Sequence, residues 1–573
     1  MERRLLLVFA LTFLVIVLFQ PILKRYLPQA PSQPAQSQAP VSAPPQTVSA
    51  AAASTSATQP SSAVQTSAKQ ATSETETTIE NAFYRITFTN RGALVKSWVL
   101  KKFDDDAGRP LELVSEAAAA KFGYPLSLWT YDENQRSRLN SALYVAPATG
   151  ALKAPAEISF EYSDQDLAVR KVFRFDNTYV VHVESSVTSS AGNPVAAFPS
   201  WPAGFGDQTS PAAYAASRVE YQFNNNIERL TLKKISGGNT LHGSFNWIGA
   251  TDQYFAAVFI PDDTQNVAAV TLRNSLEVAK EPRKPNPQEN LKVEITGIAV
   301  GDLHGPTVER LYVGPKQLPT VEAVPVPSIT GAEPDLRGLV NFGFWWFIAR
   351  PLFVWLRWTH DHMVANWGWA IVIQTLIINL VLLPLRVSSM KSALKMQKIQ
   401  PQMNVIKEKY KKYGMRDPRR QEMNTEIGEL MKREGVSPVG GCLPMLIQMP
   451  FLFAYYGMLG AALDLRHAHW LWITDLSSRD PHYLLPILII ITGLVTQRMT
   501  PQAGMDPAQQ RMMNVMMPVM FGVISFNLAA GLCLYWCESS LIAIAQQMVM
   551  NKTSLGREMR ELALKRARKK EKK

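Results

Sequence analysis

Four long stretches in the second half of this 573-residue chain carry almost no charge, and they decide what it can fold into. Trp367 to Leu385, Cys442 to Leu463 and Tyr483 to Gln497 contain no charged residue, and Met512 to Met550 contains one, Glu538. About 20 apolar residues suffice to carry a helix across a bilayer, so these stretches predict membrane spans. The last is long enough for two spans folded back at Asn527 to Gly531. A chain-wide average hides the pattern, because the first half is polar and rich in proline.

The N-terminus reads Met1-Glu2-Arg3-Arg4 followed by an apolar run from Leu5 to Phe19. A cleavable signal and a retained anchor both fit such a run. Its length, Leu23-Lys24-Arg25-Tyr26 where a small-residue cleavage site would stand, and the lack of a nearby cysteine favour an anchor over residues 1–27, with Arg3 and Arg4 in the cytoplasm. Residues 28–78 are mostly Pro, Ala, Ser, Gln and Thr and predict a disordered tether. Residues 79–322 alternate polar and apolar side chains, as in Tyr84-Arg85-Ile86-Thr87-Phe88-Thr89, between Gly, Asn and Pro punctuation. That pattern predicts a sandwich of antiparallel strands. Residues 338–358 are rich in aromatics, with Arg350 and Arg357, and suit a helix lying in the headgroup region.

Charge along the chain supplies a topology. Residues 386–440 hold thirteen basic against six acidic side chains, and residues 551–573 hold ten against three. Short basic loops stay in the cytoplasm, so an even number of spans must separate these two segments. Four do when Met512 to Met550 is split. The expectation is six spans with both termini cytoplasmic and residues 24 to about 363 outside. The formal net charge of +12 is thereby explained by membrane topology. Cys442, Cys533 and Cys537 all lie in apolar runs, without a CxxC pair or histidine partners. Neither a disulfide framework nor a zinc site is expected, and no catalytic constellation or cofactor motif stands out.

Within 387–435, Ile399, Met403, Ile406, Tyr410 and Tyr413, then Met423, Ile427 and Leu430, fall three and four apart on either side of Gly414 to Pro418. Two helices of an antiparallel hairpin would cover each other's stripe, whereas a solvated spacer would need no such spacing. A basic hairpin at the membrane surface could meet lipid headgroups, ribosomal RNA or a protein. Inside the spans, Gln374, Thr375, Asn379, Gln448, Asn527 and Glu538 recur. Polar groups in hydrocarbon either line a wet cavity or hold helices together by hydrogen bonds. Met499, Met505, Met512, Met513, Met516, Met517 and Met520 crowd one region. Their flexible thioethers could form a slide for varied hydrophobic segments or merely fill space. A solute transporter would also carry intramembrane polar residues, but it would show an internal repeat with paired broken spans, and residues 367–550 show none.

The third span opens on Ser437-Pro438-Val439-Gly440-Gly441-Cys442-Leu443-Pro444-Met445-Leu446-Ile447-Gln448-Met449-Pro450. Here the chain resembles the YidC family of membrane protein insertases, the bacterial branch of the YidC/Oxa/Alb group. Gln253-Tyr254-Phe255-Ala256, Leu471-Trp472-Ile473 with Asp475-Leu476, and Gly531-Leu532 with Leu534-Tyr535 add to the resemblance. It implies a polytopic α-helical membrane protein of six transmembrane helices, with a five-helix insertase core at 364–550 around a hydrophilic groove. A periplasmic β-supersandwich domain and a basic cytoplasmic tail at 551–573 complete it. The resemblance further implies a protein that is not an enzyme: an insertase and folding chaperone of the inner membrane, acting on nascent membrane proteins alone or with the Sec translocon. A ribosome would meet the basic hairpin and tail, and membrane lipids the exposed helices. The groove residues would be those six polar side chains with Tyr535 and Trp536, and the client slide Met512, Met513, Met516, Met517 and Met520. In the family, an arginine stands five positions before the proline that ends the second span. Counted back from Pro384, that position is Asn379, while Arg386 lies beyond the proline near the cytoplasmic boundary. On this reading Asn379→Arg should be tolerated better than Asn379→Leu. The β-domain, isolated by its tether, should be dispensable for insertion.

Overall fold

Strands with one apolar side must find a second sheet to cover it, and the first half of the chain builds three sheets. The computed structural model describes residues 68–146, 149–223, 226–280, 289–327, 335–413, 417–436, 443–499, 512–554, 556–558 and 561. The expected anchor, residues 28–67 of the tether, Gly440-Gly441-Cys442, Met505 and most of the basic tail lie outside these residues. An eight-stranded antiparallel sheet runs in the order Asn226–Thr231, Arg218–Phe223, Phe245–Thr251, Phe255–Pro261, Thr307–Pro315, Val180–Ser189, Leu167–Phe175, Ala156–Ser163. Two five-stranded sheets accompany it, one built on the long hairpin Val267–Ala279 with Asn290–Asp302. The other is built on Leu94–Asp104, Tyr84–Thr89 and Glu76–Glu80, whose edge strand Gly150–Lys153 pairs in parallel. This is the only parallel pairing among the described strands and departs from an all-antiparallel sandwich.

The domain is longer than its sequence pattern. Glu76–Glu80 begins three residues inside the stretch expected to be tether, and Lys69 already pairs with Ser163. Glu-Thr-Thr has no apolar signal until Ile79, but Thr77 is buried beneath the neighbouring strand. At the other end Leu336 and Leu339 complete the same core, beyond the expected limit at Glu322. Lys171, also buried, donates from Nζ to the carbonyls of Gly92 (2.8 Å), Ala93 (3.2 Å) and Leu126 (2.8 Å). Gly92 sits at φ +68°, and a Cβ there would lie 2.4 Å from the Asn140 carbonyl oxygen, so only glycine fits.

Glu309, on Thr307–Pro315, is 1% exposed and has no hydrogen-bond partner for either carboxylate oxygen among the described residues. Burial, then the charge of Asp262, pushes its pKa well above the usual carboxylate range. The folded state therefore binds this proton more tightly than the unfolded chain, and the contribution to stability falls as pH rises past 4.5. Glu309→Met is expected to stabilise the β-domain by roughly 1–3 kcal/mol at pH 8, the scale of one unsatisfied buried group. The gain should be smaller near pH 4, where the carboxyl is neutral in the folded state. Thermal unfolding of the full-length protein at both pH values checks this, and an unchanged midpoint at pH 8 would show the carboxyl to be satisfied.

The second half is helical: α1 (Trp346–His362), α2 (Trp367–Val381), α3 (Leu383–Lys409), α4 (Arg419–Arg433), α5 (Leu443–Ala461), α6 (Leu484–Met499), α7 (Met517–Ser525) and α8 (Ala530–Lys552). One π-turn, Met512–Met516, leads into α7. Helix α1 buries Ala349, Leu352, Phe353 and Leu356 and exposes Trp346, Phe347, Val354 and Trp358. That division suits an interfacial helix, here four residues longer at its C-terminal end than expected. Met512 to Met550 does break into two helices at 526–529, where the fold-back is expected. Ile399, Met403 and Tyr410 pack against Met423, Ile427 and Leu430, and Lys409 meets Glu426 at 3.2 Å, so α3 and α4 form the hairpin. Among the described residues no single helix is long and apolar enough to cross a membrane; the pair α2–α3, bent by 48°, meets that test together.

The two halves share side chains. Leu463 belongs to the β-domain core, while Leu318, from the β-domain side, belongs to the helical core. Gln253 Nε2 donates to the Gly460 carbonyl (3.3 Å) and Gln317 Nε2 to Asp464 Oδ1 (3.0 Å). Arg466, its side chain 11% exposed, reaches Asp207 Oδ2 at 3.8 Å and Asp106 Oδ1 at 4.0 Å. Its guanidinium lies 5.6 Å from the Tyr254 ring centre and 5.7 Å from that of Phe255. The Gln253-Tyr254-Phe255 segment singled out in the sequence is thus part of the joint between the halves.

Candidate functional site

Helix α2 starts where the Asn366 side chain accepts from the Trp369 amide (3.2 Å), and it stops at Leu382, two residues before Pro384. Proline cannot donate to the preceding turn, so the helix restarts as α3 in a new direction. The break lies beside α8, and the polar side chains of both helices meet there. Asn379 is 4% exposed; its Nδ2 donates to the Thr375 carbonyl (2.9 Å) and to Ser539 Oγ (3.3 Å). Arg386 reaches back across the break, donating from one terminal nitrogen to Asn379 Oδ1 (3.3 Å) and from the other to Gln546 Oε1 (2.8 Å). Gln546 Nε2 in turn donates to the Asn379 backbone oxygen (3.2 Å). A cavity of about 20 Å³ lies among Asn379, Arg386, Gln448, Phe451, Tyr535 and Ser539. That is room for a water molecule beside several polar groups.

The expected groove residues divide. Asn379, Gln448 and Tyr535 line this cavity. Gln374 does not; it is fully buried, donates to the Leu352 carbonyl (2.9 Å) and accepts from the Tyr455 hydroxyl (2.5 Å), tying α1, α2 and α5 together. Thr375 donates to the Ile371 carbonyl within its own helix (2.7 Å) and faces Glu538. Glu538 Oε2 is buried without a partner among the described residues. Trp536 packs edge-on against Phe521 of α7, ring centres 5.2 Å apart. Asn527 falls outside the group: it sits exposed in the turn after α7 and accepts from Arg479 (3.4 Å), because the fold-back places it at the helix ends. Of the methionines, Met516 and Met520 are exposed beside Val519 and Val523, while Met512, Met513 and Met517 are half-buried.

Arg386 is the principal correction. Its position beyond Pro384 suggested a boundary residue, yet seven residues is two helical turns, and the side chain is long enough to return to Asn379. Tyr455, stacked on Tyr535 at 3.9 Å, and Ser539 and Gln546 were also missed. Tyr535, Ser539 and Gln546 are spaced four and seven apart, a helical face that the sequence does contain.

Both halves of the chain are similar to known proteins. A family model described as the YidC periplasmic domain matches residues 76–355, and one described as 60Kd inner membrane protein matches residues 358–557. The membrane protein insertase YidC of Geobacter sulfurreducens is 31% identical over 490 residues, covering 82% of this chain and 85% of that protein. That of Thioalkalivibrio sulfidiphilus is 35% identical over 338 residues, 58% of this chain and 56% of its own length. Among solved structures, an active YidC insertase with its first transmembrane domain resolved is similar at 18% identity and a TM-score of 0.34, covering 85% of this chain and 94% of that one. With a β-rich outer domain and a helical C-terminal region that both match, the chain belongs to the YidC family of inner membrane proteins.

Proposed function

We infer that this chain is a membrane protein insertase that passes hydrophobic segments of nascent membrane proteins from the cytoplasm into the bilayer, and is not an enzyme. The observation that carries the site is the polar centre at the α2–α3 break, where Asn379, Arg386, Gln448 and Ser539 surround a cavity inside a largely apolar bundle. Polar groups held at such a place lower the cost of bringing a client's polar flank partway across. Among the described residues both hydrogen bonds of Arg386 run to amide oxygens, and these solvate its charge without neutralising it. An acidic flank is the chemistry that would complete it. Met516 and Met520, exposed beside Val519, offer a greasy and adaptable surface along which the hydrophobic part would leave.

Six spans, both termini inside and the β-domain outside accord with the charge of the loops. The basic hairpin α3–α4 and the basic tail then face the cytoplasm, where a translating ribosome would meet them, and the Sec translocon is the partner the family resemblance suggests. Photocrosslinkers at Ile378 and Leu382 should capture the hydrophobic segment of a stalled two-span client, whereas one at Leu471, exposed in the outer loop, should not. Capture at Leu471 alone would move the client path away from the polar centre.

A further inference from the structure

Between Asn379 and Arg386 stand the end of one helix, Pro384 and a 48° bend. Asn379 belongs to α2, but Arg386 belongs to α3, the arm that carries the hairpin. Its guanidinium is therefore delivered into the cavity from the far side of a hinge. Gln546 of α8 holds it there through Oε1 (2.8 Å) and with its other end binds the Asn379 backbone oxygen (3.2 Å). That oxygen is one of the last four carbonyls of α2, which an ending helix leaves without a partner of its own. One side chain thus spans the bend, bonded to Asn379 of α2 and to Arg386 of α3. Further out, Met390 and Leu394 of α3 rest on Met550 of α8, and Lys398 meets Glu558 at 2.6 Å. An arm swung away from α8 would break these contacts and take the cation with it. A broken helix pivoting at such a point needs only a few dihedral angles to change.

We propose that Arg386 is a groove cation carried on the hairpin arm, and that Gln546 is the positioning residue that seats it. The proposal rests on the reading that the polar centre handles client flanks. A cation on α2 would stay in the cavity wherever the hairpin lay. On α3 it is present only while the arm is seated, so the handling of acidic flanks becomes conditional on the position of the hairpin.

The test uses the full chain in lipid vesicles and two otherwise identical two-span clients, one with an acidic outer flank and one with a neutral flank. Spin labels at Lys412 on the hairpin and Met548 on α8 report the seating of the arm. Gln546→Leu should lengthen or broaden the distance between the labels. It should lower insertion of the acidic-flank client about tenfold, the scale of one hydrogen bond to a charged group, with the neutral-flank client changed by less than about twofold. In Asn379→Arg combined with Arg386→Ser, which moves the cation to the fixed side, adding Gln546→Leu should alter acidic-flank insertion by less than about twofold on the same grounds. An unchanged distance, an equal loss for both clients, or an equal loss in the relocated-cation background overturns the proposal. Arg386→Gln separates the two levels. If it inserts both clients like the parent, the reading of the polar centre fails and the proposal with it; if it is selectively impaired while Gln546→Leu is normal, the proposal alone fails.

Discussion

Replacing Arg466 with leucine is expected to loosen the joint between the β-domain and the segment from Gly460 to Ser478, the largest single-residue effect outside the helical core. Arg466 fills a buried site against Tyr254 and Phe255, so leucine keeps part of the packing and removes the charge. Asp207 and Asp252 are left facing each other. Burial, with Asp252's charge next, pushes the Asp207 pKa well above the usual range, and Arg466 opposes that rise. Asp207 Oδ1 and Asp252 Oδ2 are buried without partners among the described residues, while Asp252 Oδ1 is engaged by the Tyr254 and Phe255 amides at 2.7 and 2.6 Å. Breaking a buried ion pair by removing one partner typically costs roughly 3–5 kcal/mol. Without the guanidinium the pKa of the Asp207 carboxyl is pushed further up, so Arg466→Leu should be more disruptive at pH 8 than at pH 5. Hydrogen exchange of the full-length protein across 460–478 and 252–255 reads this directly. Equal protection in parent and variant at pH 8 would mean that the joint rests on Leu463 and the amide contacts alone.

This joint changes what a deletion experiment can show. The tether composition at 28–78 suggested that the β-domain is mechanically separate, and a tether on the N-terminal side does permit that. The link lies on the other side. Leu463, in the loop between α5 and α6, is 4% exposed only because the β-domain covers it, and Leu318 is buried against the helices in return. A variant lacking 79–322 would expose Leu463, so any loss of insertion would mix loss of the domain with damage to that loop.

Features written in local periodicity were legible in the sequence. Period-two runs such as Val169 to Phe175 became strands, and the stripe from Ile399 to Leu430 became the hairpin, because both rest on one face meeting one partner. The fold-back near Asn527 was legible because bilayer thickness limits helix length. What remained hidden depended on long-range pairing or on a bend. Thr77 gives no strand signal until Tyr84–Thr89 lies beside it. The joint at Arg466 brings together residues more than 200 positions apart in the chain, and no local pattern announces it. Arg386 was misplaced because the sequence shows Pro384 as a boundary, whereas the side chain crosses it. Asn527 lies apart from the cavity for the opposite reason: an amide in an apolar stretch reads as part of a span until the helix ends are known.

Arg386 also reverses the expected order of the Asn379 variants. On sequence alone, arginine at 379 restores the family's residue and leucine removes a polar group, so leucine looks the worse change. In the structure Asn379 Oδ1 already accepts from Arg386 at 3.3 Å, and Asn379 Nδ2 donates to Thr375 and Ser539. Asn379→Leu forfeits these three bonds at about 1 kcal/mol each and frees one end of a guanidinium that Gln546 still holds, so a loss of insertion of about tenfold or more is expected. Asn379→Arg instead sets two cations side by side. At about 4 Å with an effective dielectric of about 20, like charges repel by roughly 4 kcal/mol, and because Asn379→Arg forfeits the same amide bonds this repulsion adds to the loss in the leucine variant. Asn379→Arg should therefore insert an acidic-flank client worse than Asn379→Leu, by tenfold or more if about half of that repulsion survives relaxation. Adding Arg386→Ser should restore it, because one cation then occupies the cavity again. Insertion normalised to accumulated protein, measured for the two single variants and the pair, decides between the orders. Asn379→Arg matching the parent with Arg386 still present would place Arg386 outside the cavity in the working protein, and the groove charge would then have to be sought on another side chain.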